Sequence, residues 1–225
     1  MLATTEKTDT ELKTDVLAEL KYEPSVKVTD IGVQVKDGVV TLIGNVSNYF
    51  EKWNAVRATK RVAGVKAIAD DIKVHLSEFM NRTDTDIAAA AVDRLDWNLT
   101  IPKGTVKITV SDGQLTLEGQ VEWYYQKESA ENDIQHLTGV KEVFNRITIK
   151  PTQTHTNIES NIISAFKRNA ILDAKKIQVQ SDGNRVTLRG KVKSYAERDE
   201  AERTAWAAPG VYSVDNQIKV EWYWG

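Results

Sequence analysis

Three segments of this chain obey one pattern. From Val40, Leu115 and Val186 the residues read VTLIGNVSNY, LTLEGQVEWY and VTLRGKVKSY. All three fit an apolar residue, Thr, Leu, one free position, Gly, one free position, Val, two free positions and Tyr. In each copy the Gly (Gly44, Gly119, Gly190) lies 20 positions before a second Gly that is followed by Val, at Gly64, Gly139 and Gly210, and Ala55, Ala130 or Ala201 sits between them. The copies are offset by 75 and then 71 residues. That unit is too long for a typical solenoid repeat, so the chain is read as three small domains in tandem. Their bounds are placed at 8–77, 83–151 and 156–221, with short connections at 79–82 and 151–156.

Each unit opens with apolar residues at four-residue spacing: Leu12, Val16 and Leu20, then Ile87, Ala91 and Leu95, then Ile158, Ile162 and Phe166. This is the stripe of an amphipathic helix about three turns long, with N-caps at Thr8 to Thr10 and at Thr83 and Asp84. Period-two alternation follows at Ile31, Val33 and Val35 and at Val106, Ile108 and Val110, the mark of a strand with one buried face. Asp37-Gly38 and Asp112-Gly113 supply two-residue hairpin turns. Asp182-Gly183 is followed by Asn184, and a looser third hairpin is expected there. After the Val-Thr-Leu strand, Tyr49, Tyr124 or Tyr195 leads into a second helix, which the Gly of Gly-Val is expected to stop as a C′ residue. The last strand runs through Ile68, Ile72 and Val74, through Val143, Ile147 and Ile149, and through Val214, Ile218 and Val220. The expected fold class is α+β, in three tandem α-β-β-α-β units, each a three-stranded mixed sheet with two helices on one face.

The helix, the Asp-Gly hairpin, the Val-Thr-Leu-x-Gly-x-Val strand, the Ala-bearing helix and the Gly-Val-x-x-Val-x-Asn close together resemble the BON domain, named for bacterial osmotically inducible and nodulation proteins. The closing Asn is Asn145 and Asn216, whereas the first unit has Asp70 there. The resemblance covers almost the whole chain. It implies a bacterial protein of osmotic or envelope stress, often periplasmic, with a role in binding phospholipid.

Composition restricts the function classes. The chain is 41% hydrophobic and 28% charged, with a net charge of −2. Such a balance suits a globular protein without a general affinity for nucleic acid. There are no cysteines, so disulfides and thiolate chemistry are excluded. The first fifteen residues lack the apolar stretch of a leader, and no run of about 18 apolar residues occurs. The expected location is therefore cytoplasmic, peripheral at the inner membrane, and periplasmic only if a leader has been removed.

Shared residues encode the shared fold, so functional candidates are sought where the copies differ. Outward positions of the second strand are partly apolar in the first unit (Val39, Ile43), acidic in the second (Glu118, Glu122) and basic in the third (Arg185, Arg189, Lys191, Lys193). Lys175 and Lys176 add to the basic character of the third unit. Its 11 Lys and Arg stand against 9 Asp and Glu. Such a stripe suits anionic lipid head groups, to which each cation near the surface contributes about 1 kcal/mol. It also suits pairing with the Glu118 and Glu122 face of another unit. Trp123 and Tyr125, with Trp222 and Trp224 at the C-terminus, are the aromatics in excess of a helix start, and they suit a membrane or protein interface. The repeated Tyr is expected to staple each second helix to its own sheet.

His75, His136 and His155 have no ligand-like spacing. No phosphate-cradling glycine loop, nucleophile elbow or repeated acid pair occurs, so no enzyme, no metal and no cofactor is expected. The lipid-binding candidates are Arg185, Arg189, Lys191, Lys193, Lys175, Lys176, Trp222 and Trp224. The interaction-surface candidates are Trp123, Tyr125, Val39, Ile43, Glu118 and Glu122. The partner expected is an anionic phospholipid membrane, with self-assembly into a homo-oligomer or a chaperone-like role as the alternative. Neither nucleic acid nor a small-molecule substrate is expected, and a small ligand in a cleft between units is a third reading.

Overall fold

The structure is a computed structural model and describes residues 7–150 and 157–221. The first unit comprises α1 (Asp9–Tyr22), β1 (Ile31–Lys36), β2 (Val39–Val46), α2 (Tyr49–Arg61) and β3 (Ala67–Val74). The second comprises α3 (Asp84–Trp97), β4 (Val106–Ser111), β5 (Gln114–Val121), α4 (Tyr124–Ile134) and β6 (Glu142–Ile149). The third comprises α5 (Ile158–Arg168), β7 (Ile177–Asp182), β8 (Arg185–Val192), α6 (Tyr195–Trp206) and β9 (Ser213–Val220).

Each unit holds a three-stranded mixed sheet. The second strand is central, antiparallel to the first and parallel to the third. Its inward residues are buried in each core: Val40, Leu42 and Val46, then Leu115, Leu117 and Val121, then Val186, Leu188 and Val192. Both helices lie on that inner face, where Leu12, Val16 and Leu20 of α1 meet Ala55 and Ala58 of α2. The Ala positions let the second helix approach the sheet closely.

Local chemistry sets the element ends. Thr8 and Thr83 each form a capping box, with Glu11 and Asp86 respectively. The next residue, Asp9 or Asp84, ties its helix to the hairpin. Its carboxylate accepts the N–H groups of Asp37 and Gly38, or of Asp112 and Gly113, at 2.8 and 2.9 Å.

Two local expectations are corrected. The third hairpin is no looser than the others: Asp182 pairs with Arg185, and Gly183-Asn184 makes a two-residue turn. The Asp-Gly pair has slipped by one position, so Asp182 ends the strand and Gly183 alone takes positive φ, at 56°, as in a type II′ turn. The second helices also end before the repeated Gly, at Arg61, Ile134 and Trp206. Gly64, Gly139 and Gly210 sit in a separate turn with φ of 99°, 95° and 90°.

The repeated Tyr reaches another unit in every copy, and only Tyr124 also packs on the core of its own. Tyr49 is buried in the core of the second unit. Tyr124 stacks on Trp206 of the third, with ring centroids 5.1 Å apart and planes within 8°. Tyr195 packs against the core of the first and donates its hydroxyl to the Lys66 carbonyl at 2.6 Å. First docks on second, second on third and third on first, so one head-to-tail contact is used three times and closes on itself.

Candidate functional site

With the helices turned toward one another, the opposite face of each sheet is left uncovered. Val39 and Ile43 are each 39% exposed on the first. On the second, Glu118 pairs with Arg146 of its own sheet at 3.7 Å. Glu122 lies half-buried just past the end of β5. On the third, Arg185, Arg189 and Lys191 are exposed in a row along the central strand, and Lys193 continues the exposure past its end. Their contacts are local. Arg185 donates to the Tyr212 hydroxyl, Arg189 to Gln217 and Gln180, and Lys191 pairs with Glu221 at 2.6 Å.

Lys175 and Lys176 are exposed in the loop before β7, and Lys176 pairs with Asp173 at 3.5 Å. Lys176, Lys191 and Lys193 line a groove whose apolar wall includes Ile171 and Val192. The structure thus brings five of the nominated cations, Arg185, Arg189, Lys191, Lys193 and Lys176, to one side of the third unit. Trp222 and Trp224 lie outside the described residues. Trp123 is half-buried at the start of α4, and Tyr125 is 53% exposed.

Sequence reasoning missed several exposed apolar side chains. Phe79 is 91% exposed, Trp97 84%, Leu99 100% and Ile171 64%. Their signal was present: Phe79, Leu99 and Ile171 lie in the connections outside the α-helices, and Trp97 ends α3 off its four-residue stripe. They carry no repeat, and the search for repeats passed over them.

The second region is the meeting place of the three second helices. Lys52 is only 11% exposed in its side chain and lies 2.7 Å from Glu142 of the second unit and 3.4 Å from Asp70 of its own. Burial works to lower its pKa, but the two carboxylates outweigh it and hold the group above the usual lysine value. Lys127, at the matching place in the second unit, donates to the Ile147 carbonyl and is depressed by burial, which Glu131 and Glu202 only partly oppose. Phe50 meets the His136 ring at 4.2 Å, and Lys60 pairs with Asp199 at 2.7 Å across the closing junction.

Between these helices lies a cavity of about 630 Å³. From α2 it receives Trp53, Arg57, Lys60 and Arg61; from α4 and α6 it receives Tyr124, Glu128, Asp199 and Glu202. Burial pushes the Glu128 carboxyl above the usual glutamate value, with Glu131 and Glu200 adding to the rise and Arg203 opposing it. Among the described residues no three His, Asp or Glu side chains converge as metal ligands, and no helix is long and apolar enough to cross a membrane.

Comparison with known proteins adds the following. The BON domain family model matches residues 8–75, 83–151 and 154–221. Osmotically-inducible protein Y of Escherichia coli (strain K12) is 30% identical over 148 residues, which cover 63% of this chain and 73% of that protein. Among solved structures, CdsD, a structural protein of the type III secretion system of Chlamydia trachomatis, aligns over 92% of this chain and 91% of its own. Its identity is 13% and its TM-score 0.26. The PrgH periplasmic domain aligns over 92% of this chain and 99% of its own, at 11% identity and a TM-score of 0.22.

Proposed function

Because the chain belongs to the BON domain family along almost its whole length, we propose that it is a non-catalytic binding protein that associates peripherally with anionic phospholipid. Its role would be in osmotic stress, a reading supported by similarity to a protein named as osmotically inducible. The proposed place is the inner leaflet of the cytoplasmic membrane.

The observation that carries this reading is the exposed cationic side of the third unit. Three cations lie in a row on a sheet face that no helix covers, and Lys193, Lys175 and Lys176 flank it beside the exposed Ile171. A row of cations repels itself in isolation, and an anionic surface removes that cost. With about 1 kcal/mol per cation near the surface, six of them sum to roughly 6 kcal/mol before screening and before the opposing effect of Asp173 and Glu221. That is enough for reversible association and too little for permanent anchoring.

Flotation with liposomes tests it. The intact chain should float with vesicles containing phosphatidylglycerol, stay behind with pure phosphatidylcholine, and detach near 1 M salt, where the Debye length is about 3 Å. The Arg189→Glu, Lys191→Glu, Lys193→Glu variant, shown to be folded by circular dichroism, should not float. Equal flotation of variant and parent would sink the assignment to this face, and absence of flotation by the parent would sink lipid binding itself.

A further inference from the structure

The cavity among the second helices is the feature that lipid association leaves unused, and its charges are sorted by wall. The cations Arg57, Lys60 and Arg61 all come from α2. The acids come from α4 and α6, whose cation among the described lining residues, Arg203, is tied to Glu200. Most of these charges are already matched: Lys60 with Asp199, and Arg61 with Glu19 and Glu23.

Two are not matched in this way. The Arg57 guanidinium stands over the Trp53 ring, 4.5 Å from its centroid, and makes no described salt bridge, although its charge reaches the Glu23 carboxylate. Across the cavity, no described side chain hydrogen-bonds the Glu128 carboxyl, although burial in an acidic neighbourhood opposes its ionisation. Trp53 and Tyr124 give the space between them an apolar lining.

We propose that this cavity is a binding site for a small zwitterion, with its anionic end on Arg57, its cationic end on Glu128 and its apolar body against Trp53 and Tyr124. The volume of about 630 Å³ lies within the range of small-molecule sites. A singly charged ion would engage one wall only and gain nothing from the other, since Arg57 is exposed and Glu128 half-buried. A zwitterion satisfies both. Because residues of all three units line the cavity, the occupant would also hold the closed arrangement together. The proposal stands independently of the membrane reading, since none of its residues lies on the third sheet.

The test is calorimetric titration of the intact chain with β-alanine, 4-aminobutyrate and 6-aminohexanoate, whose charge separation increases along the series. Butyrate and butylammonium serve as singly charged controls. At least one amino acid should bind saturably and about tenfold or more tighter than either control, the scale of one charge-assisted contact. Arg57→Gln and Glu128→Gln should each lower that affinity by about tenfold. If no amino acid of the series outbinds the controls in the parent chain, the proposal is wrong whatever the variants do. Binding that both variants leave unchanged would overturn it as well, since the ligand would then lie elsewhere.

Discussion

The repeated glycine of the second strand shows how one residue can be required for a reason its neighbours do not reveal. A Cβ on Gly44, Gly119 or Gly190 would lie 2.0 to 2.1 Å from the carbonyl oxygen of Asp30, Thr105 or Lys176, just ahead of the neighbouring strand. The φ values of 154°, 148° and 138° add strain for any L side chain. Gly119→Ala should therefore lower unfolding stability by roughly 2–5 kcal/mol, read as a shift in the urea midpoint. Gly104→Ala, at φ 75° with nothing within 4 Å of the added methyl, should lose only about 1 kcal/mol; similar losses at both sites would show that the carbonyl contact is not the cause. A second case is the closing Asn. Asn145 and Asn216 each accept the N–H two residues on and donate to a helix carboxylate, Glu131 or Glu202. In the first unit Val56 stands where that glutamate would be, and Asp70 brings the carboxylate itself, 3.4 Å from Lys52. The departure from Asn was visible in the sequence, but its compensation by Val56 required knowing which helix positions face the strand.

Helices α2, α4 and α6 all begin at the repeated Tyr, yet each serves two masters. One side carries Ala55, Ala130 or Ala201 onto its own sheet, and the other carries Tyr, Trp and charged residues toward the other units. The sheet side was legible only from the Ala repeated in every copy. The outer side was not, because charged residues on a helix ordinarily face water and only the packing of the units turns them inward. Glu128 measures that cost. Its folded pKa is raised above the unfolded value of 4.5, chiefly by burial. As pH rises between those two values, the unfolded chain gives up its proton more readily and stability falls. Glu128→Gln is thus expected to raise the melting temperature at pH 7 and to change it much less near pH 4, where the carboxyl is mostly protonated in both states. Scanning calorimetry at the two pH values checks this; an equal gain at both would mean that packing, not ionisation, is responsible.

At the scale of the whole molecule, three copies of one head-to-tail contact close without leaving a free head or tail. Removing residues 157–225 should reopen both ends, at Tyr124 on one side and at Lys66 and Gly64 on the other, where Tyr195 and the Lys193 carbonyl now bind. Light scattering should then show the two-unit fragment gaining mass with concentration more steeply than the intact chain; identical behaviour would show that closure has little adhesive strength. The number of units, the order of their elements, the buried alternation of each sheet and the basic character of the third unit follow from sequence alone. Each is a local period or a composition, and the first three are repeated in every copy and so hard to misread. Only the tertiary structure decided where the repeated Tyr points and how opposite charges come to line one cavity. Those outcomes rest on contacts such as Tyr195 with Lys66 and Lys60 with Asp199, which are 129 and 139 residues apart in sequence. A motif shared by three copies fits a bond within a unit as well as one to the next, and no local period tells the two apart.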